Sequence, residues 1–198
     1  MRRLVVVENV SLDGVMQSPG RQDEDTRGGF ERGGWASGPL MRDQEASRAT
    51  MAGQESTTAM LFGRRTYLDL VGHWLTTADP NPFTEILTNT PKYVASSTLA
   101  DPLPHPNSIL LELDAEGDAV AAVDRLKAEG HGDIVVLGSG ALVRSLAAAG
   151  LVDEYALTTI PVVVGSGARL FGDTPMDLRV VATATSPTGI VVARYAVG

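Results

Sequence analysis

Apolar residues along this chain fall into short runs separated by polar, glycine-rich stretches. Leu4-Val5-Val6-Val7 is apolar at every position. A run of this kind predicts a central strand buried on both faces. Residues 8–38 then carry seven glycines (Gly14, Gly20, Gly28, Gly29, Gly33, Gly34 and Gly38) and no periodicity. They read as a long loop, of the length usually found in a functional lid or a disordered insert. Residues 39–54 are polar and helix-compatible, with Leu40, Met41 and Ala49 expected to face inward. Residues 59–62 read as a short buried strand and Gly63 as a turn, after which Arg64-Arg65-Thr66 open a helix through Val71. Residues 72–91 read as irregular, with a short helical piece near 83–87. Further short strands are expected at 92–96, 109–111 and 133–137. Residues 101–107 hold three prolines and form a loop. Asp114 is expected to cap a helix through Glu129, with Ala119, Val120, Val123 and Leu126 on one face. A second helix follows Gly138-Ser139-Gly140, with Leu142, Val143, Leu146 and Ala147 inward and Gly150 as its stop.

The last third reads as strands. Residues 154–164 contain Pro161, which places the end of that strand at a bulge or a sheet edge. Residues 178–185 and 190–197 alternate around Ser186-Pro187-Thr188-Gly189, an antiparallel hairpin signal. The chain thus starts with β-α-β character and a parallel sheet and finishes antiparallel. It has no internal repeat and no linker. Its 198 residues are expected to form a single domain over residues 1–198.

Composition narrows the partners. Hydrophobic residues make up 43% and charged residues 20% of the chain, and the net charge is −8. That charge argues against nucleic acid or an anionic membrane as a partner, so any anion site must be local. The absence of cysteine excludes disulfides and thiolate metal sites. His73, His105 and His131 are isolated and lack metal-ligand spacing, so no metal site is expected. The apolar run at 4–7 is too short for a signal sequence or a membrane span, and a cytoplasmic location is expected.

Two constellations carry candidate chemistry. Arg64, Arg65 and Thr66 open a helix directly after a strand. Helix N-termini present free N–H donors and partial positive charge, and arginine grips phosphate oxygens in a fork. An exposed first turn with its arginines in water is an equal reading of the same residues. Gly138-Ser139-Gly140 is a second strand–glycine–helix junction, where small residues let a pyrophosphate approach the backbone. It lacks the full Gly-x-Gly-x-x-Gly spacing, because Val143 stands where the third glycine would be. Ser96, Ser97 and Thr98 end a strand, where ligand contacts and ordinary turns both occur. Trp35 follows two glycines and would either cover a ligand or pack on the core. Asp43 and Glu45 lie on a helix that could relay a proton, although most helical carboxylates are simply solvated.

Taken together, five segments carry a resemblance. They are Ser11-Leu12-Asp13-Gly14, the stretch Leu61-Phe62-Gly63-Arg64-Arg65-Thr66-Tyr67, Lys92 through Leu99, Gly138-Ser139-Gly140-Ala141-Leu142, and Pro161-Val162 to Leu170-Phe171. In this order they resemble the dihydrofolate-reductase-like family, and within it the reductase domain of the bifunctional riboflavin-biosynthesis deaminase/reductase. The resemblance implies an α/β three-layer sandwich: a central mixed, mostly parallel sheet, a C-terminal antiparallel hairpin, and helices on both faces. It also implies NADPH as cofactor, hydride transfer to a small-molecule substrate, and a homodimer. On that basis Gly63, Arg64, Arg65 and Thr66 would meet the cofactor phosphates. Ser96 and Ser97 would lie by the adenosine 2′-phosphate, and Gly138, Ser139, Gly140, Ala141 and Leu142 along the pyrophosphate. Val10 would lie near the nicotinamide, and Asn9, Asp13, Trp35 and Gly165 would line the substrate pocket.

The departures limit what is carried over. The acidic residue that serves the pterin in dihydrofolate reductases has no matching context here, since the sequence around Asp43 and Glu45 differs. Ser139 replaces the second glycine of the usual pair. No zinc-ligand cysteines of a deaminase half are present. Three readings stay open. One is a reductase of 5-amino-6-(5-phosphoribosylamino)uracil. Another is a pterin or other small C=N or C=O reductase, and the third is a non-catalytic nucleotide-binding protein. No catalytic residue is assigned. A substrate phosphate would call on Arg21, Arg27, Arg32 or Arg169, all expected in loops.

Overall fold

The computed structural model describes residues 1–52 and 54–198. Eight strands and seven α-helical segments follow one another among them. The strands form one mixed sheet in the order β4-β3-β2-β5-β1-β6-β8-β7, as expected of a mixed α/β fold. Strand β1 (Arg3–Ser11) is buried from Leu4 to Ser11 except at the half-buried Asn9. It is longer than the apolar run at 4–7, because Glu8 through Ser11, read from sequence as loop, continue the extended backbone. The chain divides into two compact units, residues 1–5 with 56–152 and residues 6–55 with 153–198.

In the first unit, β2 (Thr57–Gly63), β3 (Lys92–Ala95), β4 (Ser108–Leu111) and β5 (Asp133–Leu137) are parallel neighbours. A single helical run follows β2: α3 (Arg64–Thr66), a π-helical turn (Tyr67–Val71) and α4 (Gly72–Thr76). The sequence pattern ends this helix before Gly72. The helix instead continues, because Trp74 and Leu75 pack against the same cluster as Tyr67 and Val71, with Met60, Phe62, Leu87 and Val94. Helix α5 (Pro82–Asn89) begins at Asn81, whose carboxamide oxygen accepts from the N–H of Phe83 at 2.9 Å and of Thr84 at 3.2 Å. Its far end is met by Lys92, which is fully buried and donates to the carbonyls of Leu87 at 2.5 Å and Thr90 at 3.0 Å. Burial pushes this ammonium down to a pKa of about 8.

Helix α6 (Val120–Ala128) starts later than expected. Asp114 closes a turn by accepting from Asp118 N–H at 2.7 Å, and Asp118 accepts from Val120 N–H at 2.9 Å. Gly117, at φ +80°, lets the chain turn before the helix begins. Helix α7 (Gly140–Ala148) buries Val143 and Leu146.

In the second unit, α1 (Ser37–Arg42) and α2 (Gln44–Met51) replace the single helix expected over 39–54. Asp43 breaks it, because its side chain caps α2 by accepting from Ala46 N–H at 2.9 Å. Met41 is 84% exposed, contrary to its expected inward role, and Ala46 is the buried residue of α2. Strands β6 (Glu154–Ile160), β7 (Leu178–Thr185) and β8 (Val191–Val197) are antiparallel, with β8 in the middle. Pro161 follows directly after β6, where a missing N–H costs no ladder bond. Every position of β7 is exposed, and Val181 is an extra residue between the Val180–Tyr195 and Ala182–Arg194 pairs.

Candidate active site

The first unit gathers the phosphate-type segments. Gly63 lies opposite Ala95, and Leu61 opposite Val136, so β2, β3 and β5 end on the same side of the sheet. Arg64–Thr66, Ser96–Ser97 and the 138–142 turn therefore emerge together, at the strand ends where α/β sheets bind ligands. Two of these junctions interlock. Gly63 N–H donates to Ser139 Oγ at 2.9 Å, and Ser139 N–H donates to Thr66 Oγ1 at 3.0 Å. Ser139 Oγ in turn donates to the Leu137 carbonyl at 3.2 Å. Gly138 has φ +58°, and a Cβ there would stand 2.8 Å from Thr66 Cγ2. Gly63, read from sequence as a turn, is extended, with φ −78° and ψ 159°. The sharp change of direction belongs to Gly138 and Ser139 instead, since both have positive φ.

These bonds sort the candidate residues. Ser139 spends its hydroxyl on Gly63 and Leu137, so its side chain holds the two turns together. Thr66 keeps its hydroxyl hydrogen for another acceptor. Ser96 Oγ accepts from Thr98 N–H at 3.2 Å and Leu99 N–H at 3.0 Å, closing its own turn, while Ser97 is exposed. Arg64 and Arg65 are exposed, and their side chains make no ion pair or hydrogen bond among the described residues. Gly140, Ala141 and Leu142 form the first turn of α7, where backbone N–H groups have no helical acceptor. Guanidinium groups, a free hydroxyl and helix N–H donors at one strand end fit a dinucleotide phosphate chain.

The second unit holds the other candidates. Asn9 and Val10 lie near the end of β1, with Val10 buried. Asp13 accepts from Ser11 Oγ at 2.7 Å, Val164 N–H at 3.0 Å and Gly165 N–H at 2.9 Å. Its carboxyl is held well below the usual range, first by Ser11 and then by those two N–H groups. Asp13 thus clamps the 162–165 loop to the end of β1. Gly165 has φ +88°, with open space where a Cβ would stand. Trp35 donates from Nε1 to the Gln17 carbonyl at 2.8 Å and, like Val162, packs against two small apolar clusters, one with Ala36, Ala46, Ile160 and Ile190 and one with Val15, Phe30 and Val164. The glycine-rich loop is ordered by buried polar residues that periodicity could not mark. Gln17 donates to the carbonyls of Asp25 and Arg27 and accepts from Ala168 N–H. The bond to Ala168 is a long-range pairing with no local sequence signal.

The candidate phosphate arginines divide further. Arg27 is forked onto Asp25, and Arg169 donates to the Asp13 carbonyl and lies 3.9 Å from Asp13 Oδ2. Arg21 lies 3.8 Å from Asp23. Arg32 is exposed and makes no ion pair among the described residues. Asp43 is buried, with Oδ1 on Ala46 N–H and Oδ2 accepting from the Thr188 hydroxyl. Each of its oxygens thus already accepts a hydrogen bond within the protein. Among the described residues no helix is long and apolar enough to cross a membrane.

Comparison with known proteins bears on the family and the fold. Residues 2–192 match the family of the RibD C-terminal domain. The chain is 31% identical over 142 residues to the uncharacterized protein YyaP of Bacillus subtilis (strain 168), covering 69% of this chain and 72% of that one. Its fold is similar to that of the riboflavin biosynthesis reductase Rib7 of Saccharomyces cerevisiae, with a TM-score of 0.61 at 14% identity over 100% of this chain and 90% of that one. It is also similar to dihydrofolate reductase from Enterococcus faecalis, solved with NADP(H), with a TM-score of 0.56 at 13% identity over 99% and 96% of the two chains. The two solved structures establish a dihydrofolate-reductase-like fold, and the match over nearly the whole length places this chain in the RibD C-terminal domain family.

Proposed function

We propose that the protein is an NADPH-dependent reductase of the riboflavin-biosynthesis type, acting on 5-amino-6-(5-phosphoribosylamino)uracil or a close relative. The observation that carries the reading is the convergence of Arg64, Arg65, Thr66, Ser97 and the first turn of α7 at the ends of three parallel strands. Two arginines without protein partners among the described residues, in a chain of net charge −8, are placed to hold phosphate, including an adenosine 2′-phosphate. NADPH, when bound, supplies the hydride. The chain's own part is to bind and orient. The arginines and the α7 N–H groups hold the phosphates, the Gly63–Ser139–Thr66 bonds fix the turns that carry them, and Asp13 fixes the 162–165 loop. Family membership supports the uracil-type substrate over a pterin. The engagement of Asp43 in capping α2 and holding Thr188 supports the same choice, since a pterin reductase needs a carboxylate turned to its substrate.

The test is calorimetry of NADPH and NADH with the wild-type chain and with Arg64→Ala and Arg65→Ala. NADPH should bind more tightly than NADH. A charge-assisted contact is worth ~1.5–3 kcal/mol, so loss of the arginine on the 2′-phosphate should weaken NADPH about ten- to a hundredfold. NADH should change much less. Equal affinity of the wild type for both cofactors would sink the reading. Consumption of NADPH against the uracil and pterin substrates in parallel then decides the substrate. The exposed apolar edge of β7, with Val180 and Val181 at 55% and 50% exposure, supports assembly as a homodimer.

A further inference from the structure

We infer that Gln17 is a positioning residue for the substrate. It holds the glycine-rich loop 18–34 against the 165–170 segment before any ligand arrives, so the loop stands as a fixed wall and does not close as a lid. The inference rests on the reductase reading and deepens it. Asp13, Trp35 and Gly165, the residues that the resemblance assigns to the substrate pocket, lie with Gln17 in the second compact unit.

One residue ties three segments together there. Gln17 Nε2 donates to the carbonyls of Asp25 at 3.1 Å and Arg27 at 3.0 Å, and Oε1 accepts from Ala168 N–H at 2.9 Å. Both hydrogens of the carboxamide and its oxygen are therefore in use. The carbonyl of Gln17 accepts from Trp35 Nε1 at 2.8 Å, and the residue is 7% exposed. The loop also closes on itself. Gly34 N–H donates to the Ser18 carbonyl at 2.8 Å, and Ala36 N–H to the Pro19 carbonyl at 3.0 Å. From its far side Phe30 reaches into a small core with Val15 and Val164. That seam is tight, since a Cβ at Gly167 would stand 2.8 Å from Phe30 Cε2 and 2.9 Å from Val15 Cγ1. Segments that move in function have few buried contacts. Opening this loop would give up the bonds of Gln17 and the burial of Phe30 together. Gln17 thus places Trp35 through its carbonyl and the 165–170 segment through Ala168, while Asp13 holds the same segment at Gly165 N–H.

The test compares wild type with Gln17→Met, whose side chain has similar length and none of the amide's hydrogen bonds. Amide hydrogen exchange of the protein without ligand should find residues 20–34 protected in wild type. In the variant they should exchange at least about tenfold faster, with the β6–β8 ladder unchanged. NADPH affinity by calorimetry should hold, because Gln17 bonds none of the residues proposed for the phosphates. KM for 5-amino-6-(5-phosphoribosylamino)uracil should rise about tenfold and kcat change much less, because substrate binding must then also order the loop. Gln17→Glu keeps the acceptor for Ala168 N–H and gives up both bonds to the loop, and it repeats the comparison should methionine prevent folding. A wild-type loop that exchanges freely until substrate is added would overturn the inference, because the loop would then be a lid. Faster loop exchange in the variant with KM and kcat at wild-type values would overturn it too, since Gln17 would then serve stability alone. Failure of the reductase reading has a different signature. Wild type would bind no NADPH and turn over nothing, while the loop protection that Gln17→Met removes would uphold the fixed wall.

Discussion

Asp43 illustrates how a single carboxylate can be committed to structure. It sits at the junction of α1 and α2, is 4% exposed, and ties the start of α2 to Thr188 in the β7–β8 turn. Its pKa is lowered chiefly by the Ala46 N–H, with Ser186 and Thr188 adding to the effect. A carboxyl with a lowered native pKa stabilises the fold fully above its ordinary value, near 4, and loses that contribution as pH falls toward its native value. Asp43→Asn keeps a capping oxygen but not the charge. The variant should retain most reductase activity and unfold more readily than wild type at pH 7. Chemical denaturation should show the gap closing between about pH 4 and pH 2. Abolished turnover with NADPH binding intact would instead make Asp43 the substrate's carboxylate and bring back the pterin reading.

At the scale of elements, the junctions after β2 and β5 act as one unit. Ser139 bonds Gly63 through its hydroxyl and Thr66 through its N–H, and Gly138 passes close beside Thr66. An alanine at Gly138 must adopt positive φ and press its methyl on Thr66. Strain of this kind costs about 1–3 kcal/mol. Gly138→Ala should therefore lower stability by that amount in denaturant titrations and weaken NADPH binding, because the α7 N–H groups shift with the turn. Ser139→Ala, which removes the tie without adding bulk, should weaken NADPH less. A Gly138→Ala variant with wild-type stability and affinity would refute this account of the turns.

For the whole molecule, the hairpin β7–β8 closes the sheet order and leaves β7 as an outer strand. Outer strands offer unpaired backbone groups and are normally covered or made unattractive. Here the strand carries Leu178, Val180 and Val181 at 37–55% exposure, with Arg179 among them. The bulge at Val181 twists it but does not remove its apolar surface. A second copy of the chain is the cover proposed above. Light scattering at micromolar concentration should give the mass of a dimer, and Val180→Lys should shift it toward monomer. A monomeric mass for the wild type would count against the assembly.

How much of this was legible in the sequence depended on the range of the interactions involved. The strands at 4–7, 59–62 and 133–137, the two helices after the glycine turns and the closing hairpin all follow from local apolar patterning and turn residues, which act over a few positions. The order of the motifs was likewise enough for the family. The extension of β1 through Glu8–Ser11, the continuation of the helix past Gly72 and the break between α1 and α2 at Asp43 were not legible. The first two were decided by partners distant in sequence, the β1 ladder and the cluster around Trp74; the third rests on a local cap, Asp43 on the Ala46 N–H, whose other oxygen is held by the distant hydroxyl of Thr188. The same holds for the candidate site. Residue types and spacing singled out Arg64, Arg65 and the 138–142 turn. Only the tertiary structure separated side chains left open to a ligand, such as Arg64, Arg65 and Ser97, from those consumed within the protein, such as Ser96, Ser139, Asp13 and Asp43. A hydroxyl or carboxylate has the same letter in either state, and its partner is chosen by the fold.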